Sequence, residues 1–148
     1  MSVADLIFVL PLPPSANRMW RRSGRRIHPS AEYDDWKHRA RICLIQQAKG
    51  AMLVGRYRIA IVLPEQRKDA DNLIKPLGDA LQRAGIIEND RHLRGLTLDV
   101  DETRDATTLR IDLWSVPGEP APTKPRTRHP AAARLSNSRA SRKDTIHE

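Results

Sequence analysis

The chain has 148 residues, 39% of them apolar, and carries 26 Lys and Arg against 18 Asp and Glu for a net charge of +8. That is one domain's worth of sequence with enough apolar residues for a core, yet no run approaches the roughly 20 apolar residues of a membrane-spanning helix. A single cysteine, Cys43, excludes an intramolecular disulfide framework and a cysteine-only zinc site. Met1 to Asp5 lack a basic region, and the apolar run Leu6 to Leu10 is too short for a secretory signal. The expectation is a cytoplasmic protein with no membrane partner. The cationic surplus points to a polyanion, because Lys and Arg displace the counterions condensed on nucleic acid.

In chain order, Leu6 to Leu12 reads as a strand stopped by Pro13-Pro14. Asn17 to Ile27 reads as a basic loop. Ser30 offers an N-cap, Glu32, Asp34 and Asp35 occupy the first turn, and Tyr33, Trp36, Ala40, Cys43 and Leu44 recur at helical spacing, which predicts a helix ending before Gly50. From Arg56 to Leu63, Tyr57, Ile59, Ile61 and Leu63 alternate with Arg58, Ala60 and Val62 as in a strand. Asp71 to Ala84 places Leu73, Leu77, Ala80, Leu81 and Ala84 on one helical face, with Gly85 as the left-handed stop. Pro76 fits only a first turn, so regular helix is expected to begin near Lys75. Leu93 to Val100 and Thr107 to Trp114 form a closing pair of strands joined around Glu102 to Ala106. The order β, α, β, α, β, β predicts an α/β (α+β) domain, a small mixed sheet with two main helices covering one face. This domain is expected to span residues 1–116.

Composition changes after Val116. Residues 117–148 hold five of the eleven prolines, no aromatic residue, and seven Lys or Arg against three Asp or Glu. Such a segment cannot bury enough apolar surface to fold and is expected to be a disordered basic tail.

The sharpest chemical feature is Arg67-Lys68-Asp69-Ala70-Asp71-Asn72-Leu73-Ile74-Lys75, between a strand and a helix. On a helical wheel counted from Asp71, Lys75 falls near ~40° and Asp79 near ~80°, whereas Leu73, Leu77 and Leu81 fall at roughly 200° to 280°. Asp69 and Asp71 form a carboxylate pair if the backbone there is extended. At ~5 Å two such charges repel by about 0.8 kcal/mol in water and about 3 kcal/mol at an effective dielectric of 20, so a partly buried pair favours a cation. Magnesium, with its oxygen ligands and retained waters, suits the cluster. A third acid, Asp90, lies in Glu88-Asn89-Asp90 beyond the helix. It meets the first two only if a returning strand or a neighbouring chain brings it. On spacing alone an Asp-x-Asp before a helix is as well read as a turn with an N-cap. Asp79 is better read as a solvated acid paired at i, i+4 with Lys75.

These residues resemble the RusA-type Holliday junction resolvases, a family common in prophages. The similarity runs through Leu10-Pro11-Leu12-Pro13-Pro14-Ser15-Ala16-Asn17-Arg18 and the helix carrying Tyr33 and Trp36. It is most specific in Asp69-Ala70-Asp71-Asn72-Leu73-Ile74-Lys75-Pro76-Leu77-Gly78-Asp79-Ala80-Leu81, continuing to Asn89-Asp90. The resemblance implies that Asp69, Asp71 and Asp90 bind magnesium, with manganese as a substitute, and that Lys75 is the essential lysine. It also implies a homodimer that cuts branched DNA at four-way junctions by paired phosphodiester hydrolysis, in recombination and repair. The tail after Val116 departs from the family pattern.

Asn17, Arg18, Arg21, Arg22, Arg25 and Arg26 form the densest polar and basic cluster and are expected to hold DNA phosphates, with Trp20 either stacking on an unpaired base or anchoring the core. Tail residues such as Lys124, Arg126 and Arg128 are expected to add salt-sensitive affinity. His28, His92 and Cys43 carry no ligand spacing and are read as structural. The competing readings are a non-catalytic basic DNA-binding module, a nuclease preferring flaps or forks, and a nucleotide-dependent glycosyltransferase. The last is disfavoured by the short domain without a glycine-rich phosphate loop.

Overall fold

The structure, a computed structural model, describes residues 3–65 and 70–118. Strand β1 (Leu6–Pro11) turns Phe8 and Leu10 into the core and leaves Ile7 and Val9 on the outer face. A single turn of helix, α1 (Ala16–Met19), leads into β2 (Trp20–Ser23) and β3 (Arg26–Pro29), which pair antiparallel as a hairpin. This corrects the expected basic loop over Asn17 to Ile27. The strands were hidden because Trp20 to His28 are exposed, so no apolar alternation marks them. Gly24, at φ +60°, takes the first position of the two-residue turn, where a side chain would be strained.

Helix α2 (Ala31–Ala48) starts where the cap was expected. Ser30 Oγ accepts the Tyr33 amide at 3.1 Å and donates to the Arg18 carbonyl at 2.6 Å, so one hydroxyl both caps α2 and fastens the hairpin's base to it. Tyr33, Trp36, Ala40, Leu44 and Ala48 are its buried stripe, and the Trp36 indole donates to the Pro11 carbonyl at 2.8 Å. The helix closes with Lys49 in the left-handed region.

Next come β4 (Tyr57–Leu63), a 3₁₀ turn (Ala70–Leu73), α3 (Ile74–Arg83), a second 3₁₀ turn (Asp90–His92), β5 (Leu93–Val100) and β6 (Thr108–Ser115). Pro76 sits in the first turn of α3, where its missing N–H costs no helical bond. The sheet order is β1-β6-β4-β5, with β5 parallel to β4 and the other pairs antiparallel. The two closing strands are therefore not partners, because β4 lies between them. Leu109, Ile111 and Leu113 of β6 are fully buried and belong inside the sheet, whereas β5 shows Leu96, Leu98 and Val100 at its edge. Both longer helices lie over the face that carries Phe8, Leu10, Ile59, Ile61 and Leu113, as the alternation predicts.

The other sheet edge is closed by a side chain. Gln47 Oε1 accepts the Val9 amide at 2.8 Å and its Nε2 donates to the Val9 carbonyl at 2.7 Å, so one carboxamide occupies the pairing position of an absent strand. Among the described residues no helix is long and apolar enough to cross a membrane.

Two substitutions test these contacts by denaturant unfolding. Ser30→Ala should cost about 1–2 kcal/mol through the lost cap. Gln47→Ala should cost about 1–2 kcal/mol from two neutral hydrogen bonds and accelerate amide exchange at Val9. Unchanged unfolding midpoints would remove the roles assigned to the two side chains.

Candidate active site

Helix α3 carries three stripes. Leu73, just before it, with Leu77 and Leu81 faces the core and is buried. Asp71, in the preceding turn, Ile74, Lys75 and Gly78 follow at i, i+3, i+4 and i+7 and line a cleft of about 230 Å³ against Tyr57, Ile59 and the start of β5. Pro76, Asp79, Ala80 and Arg83, at the same spacing, line a second cleft against α2 and the hairpin.

Asp90 belongs to the first cleft and arrives within the same chain. Gly85, at φ +74°, ends the helical course and turns the backbone around. Ile86 and Ile87 are buried, Ile87 bridges Leu53, and the Leu53 amide donates to the Ile86 carbonyl at 2.8 Å. Glu88 Oε2 accepts the Gly55 amide at 2.8 Å. The Asp90 amide then donates to Gln82 Oε1 at 3.2 Å, and the Tyr57 hydroxyl donates to the Asp90 carbonyl at 3.4 Å. A Cβ placed on Gly78 would touch that of Asp90 at 3.7 Å, so the aspartate lies directly against the helix. The chain's own return along α3 brings Asp90 to the cleft that Asp71 lines.

Lys75 Nζ lies 2.8 Å from Asp79 Oδ1 and 3.5 Å from Asp90 Oδ2. The Asp79 hydrogen bond and charge, with Asp90 adding to them, hold the ammonium above its ordinary pKa, so Lys75 is a fixed cation at neutral pH and not a base. The expected i, i+4 pair is thus present, and it also aims the lysine. Burial, reinforced by the Asp90 charge, pushes the Tyr57 phenol up to about 12.

The structure therefore brings Asp71, Lys75 and Asp90 to one cleft, with Asp71 and Lys75 exposed and Asp90 half-buried. Asp69 lies outside the described residues. No group of three or more His, Cys, Asp or Glu placed to hold a metal occurs among the described residues. The donor set here is two carboxylates, which matches a hard divalent ion that keeps several waters and takes a substrate phosphate oxygen. Asn17, Arg18, Arg21, Arg22, Arg25 and Arg26 are all exposed on α1 and the hairpin, with Arg18 ion-paired to Glu32 at 3.0 Å. They stand on the side of the second cleft, joined to it through Trp20. Arg41 of α2 and Arg83 of α3, which no sequence pattern singled out, line that cleft. Cys43 is free and packs against the core, and His28 is exposed on the hairpin.

The family model for the endodeoxyribonuclease RusA matches residues 11–113. The chain belongs to the RusA family. It is accordingly an enzyme, a nuclease acting on DNA. RusA relatives named crossover junction endodeoxyribonuclease include that of Enterobacteria phage HK97, 35% identical over 86 residues that cover 56% of this chain and 72% of the relative. The Aquifex aeolicus protein is 37% identical over 86 residues, 55% of this chain and 66% of its own. The Escherichia coli K12 protein is 40% identical over 89 residues, 55% and 70%.

The raised phenol supplies a pH test. With a folded pKa near 12 against an ordinary 10.0, Tyr57 contributes stability that is complete below about pH 10 and is lost as the pH climbs towards 12. Tyr57→Phe should remove that part of the alkaline decline, followed as unfolding free energy against pH. A phenolate that forms near pH 10 in the folded chain, by ultraviolet absorbance, would contradict the buried placement beside Asp90.

Proposed function

We propose that this RusA family member is a magnesium-dependent endonuclease that resolves four-way DNA junctions as a homodimer. The observation that carries this reading is the convergence of Asp71, Lys75 and Asp90 on one cleft. A surface that only gripped phosphates would gain nothing from two carboxylates placed where a strand must pass, which disfavours the non-catalytic binding module.

A divalent cation held by Asp71 and Asp90, with Asp69 as the further carboxylate, would supply Lewis-acid polarisation of the scissile phosphate and activation of a water. Manganese suits the same oxygen donors. Asp79 fixes the Lys75 ammonium from the far side, leaving that charge to stabilise the phosphate oxygens as negative charge grows on them. Asp90 is restrained through its own backbone by Gln82 and Tyr57, so its carboxylate is presented without a large ordering cost on binding. Arg21, Arg22, Arg25 and Arg26 would neutralise phosphates flanking the cut and make binding fall with salt.

Paired cuts require two copies of the cleft, and a two-fold dimer supplies them on a two-fold substrate. The exposed Leu96, Leu98 and Val100 on β5, beside the cleft, support a partner surface there. A cytoplasmic role in recombination and repair follows from the substrate, and relatives in phages HK97 and 82 support a prophage origin. The basic segment beyond residue 118 would add non-specific affinity.

The test incubates the full chain with a labelled four-way junction, a fork, a flap and an equal-length duplex, in magnesium or chelator. Symmetric cuts in the junction that require the metal are expected. Asp71→Asn and Lys75→Ala should each lose about 100-fold or more in single-turnover rate while junction binding changes little. Binding without cleavage in any condition would overturn the catalytic reading, and faster cutting of forks or flaps would reassign the substrate.

A further inference from the structure

The second cleft is not needed to hold the cation or the scissile phosphate, yet it is the larger of the two at about 460 Å³, a size ordinary for small-ligand sites. Its walls combine aromatic and cationic groups. Trp20 is a large aromatic residue left half exposed, at 50%, and it is not loose. Its ring centroid lies 5.5 Å from that of Tyr33, edge-on at 64°, and Tyr33 stacks at 5.9 Å on the buried Trp36. A three-ring ladder thus fixes an indole at the mouth of the cleft. Around it stand Lys37, Arg41 and Arg83 against the single carboxylate of Asp79. Lys37 is engaged with Asp34 at 2.6 Å and with the Tyr33 ring at 4.9 Å. Arg41 and Arg83 make no ion pair with another described residue.

Position matters as much as composition. Asp79 lines this cleft while its carboxylate holds Lys75, which lines the acidic one, so only the width of one helix separates the two. A helix with side chains is about 10 Å across and one DNA strand advances about 3.4 Å per nucleotide, which places the cleft about three nucleotides from a phosphate at Lys75. Inside a duplex each base is already stacked and presents no face to an indole. At a branch point the stack is interrupted, so a base leaves it at lower cost than inside a duplex, and the pairing of an aromatic platform with flanking cations is how proteins hold one.

We propose that this cleft binds one unstacked nucleotide of the DNA, its base against Trp20 and its phosphate between Arg41 and Arg83, and that this contact separates branched from duplex substrate. The inference rests on the junction-nuclease reading above and deepens it by assigning the selectivity to a site outside the acidic cleft.

The test measures binding of the full chain to a four-way junction and to duplex in calcium, with the DNA verified to remain uncut. Trp20→Ala should weaken junction binding about 5- to 150-fold, leave duplex binding unchanged, and be rescued by Trp20→Phe. Arg41→Ala combined with Arg83→Ala, on an exposed surface, gives a second variant independent of the ring ladder and should lower the same ratio. Junctions with one abasic nucleotide scanned through the three positions beside the scissile phosphate complete a cycle. At one position the wild type should lose what Trp20→Ala loses, and Trp20→Ala should lose nothing further. If wild type prefers the junction but both variants keep that preference, or if the abasic and Trp20 losses simply add, the nucleotide site is overturned while the nuclease reading stands. If wild type itself shows no preference, both fail together.

Discussion

Lys75 can touch both Asp79 and Asp90 only because the chain doubles back along α3 and is fastened there. The fastening is made of ordinary parts: the Ile87 bridge to Leu53, the Glu88 carboxylate on the Gly55 amide, and the buried pair Ile86 and Ile87. These contacts involve no catalytic group, yet they set where Asp90 stands. Burying two isoleucines there contributes about 1.5–3 kcal/mol each, before ordering costs, and offsets the repulsion of carboxylates held near one another. The acidic cleft is a by-product of where the core closes.

The same helix explains why two different chemistries lie so close together. One face of α3 is committed to Leu77 and Leu81 in the core, leaving two stripes that look in different directions. The stripe facing β4 and β5 carries Asp71 and Lys75. The stripe facing α2 carries Asp79 and Arg83 beneath the Trp20 ring. The Lys75–Asp79 pair lies on the border between them. A change at Asp79 is therefore felt on both sides, as a less well-aimed lysine and as a different charge in the basic cleft.

Much of this was legible in the residues, and the parts that were not have physical reasons. Helix α2 and the course of α3 follow from apolar period and caps at Ser30 and Gly85, and β4 forms where the Ile59-Ile61-Leu63 alternation placed a strand, although Ala60 and Val62 on its other face are buried as well because β4 lies inside the sheet. The hairpin over Trp20 to Pro29 was not visible, because a two-stranded ribbon exposed on its polar residues has no buried face to impose alternation. Strand order was misleading for a related reason: adjacency along the chain suggested that β5 and β6 pair, while the parallel crossover through α3 placed them on opposite sides of β4. The family resemblance identified Asp71, Lys75 and Asp90 as a set, but periodicity alone gave no path for Asp90 around a helix. Arg41 and Arg83 come from two different helices and become neighbours only on packing, so no local pattern marks them.

The central claim is that Asp71 and Asp90 act on one ion in one cleft beside Lys75. Manganese binding to the full chain, followed by electron paramagnetic resonance, tests it most directly. The account predicts that Asp71→Asn and Asp90→Asn each weaken the same binding event, while Lys75→Met, which removes a competing cation, leaves it intact or tightens it. Manganese binding that is unchanged in Asp90→Asn but lost in Asp71→Asn would contradict the shared site and leave the return of the chain along α3 without its chemical purpose.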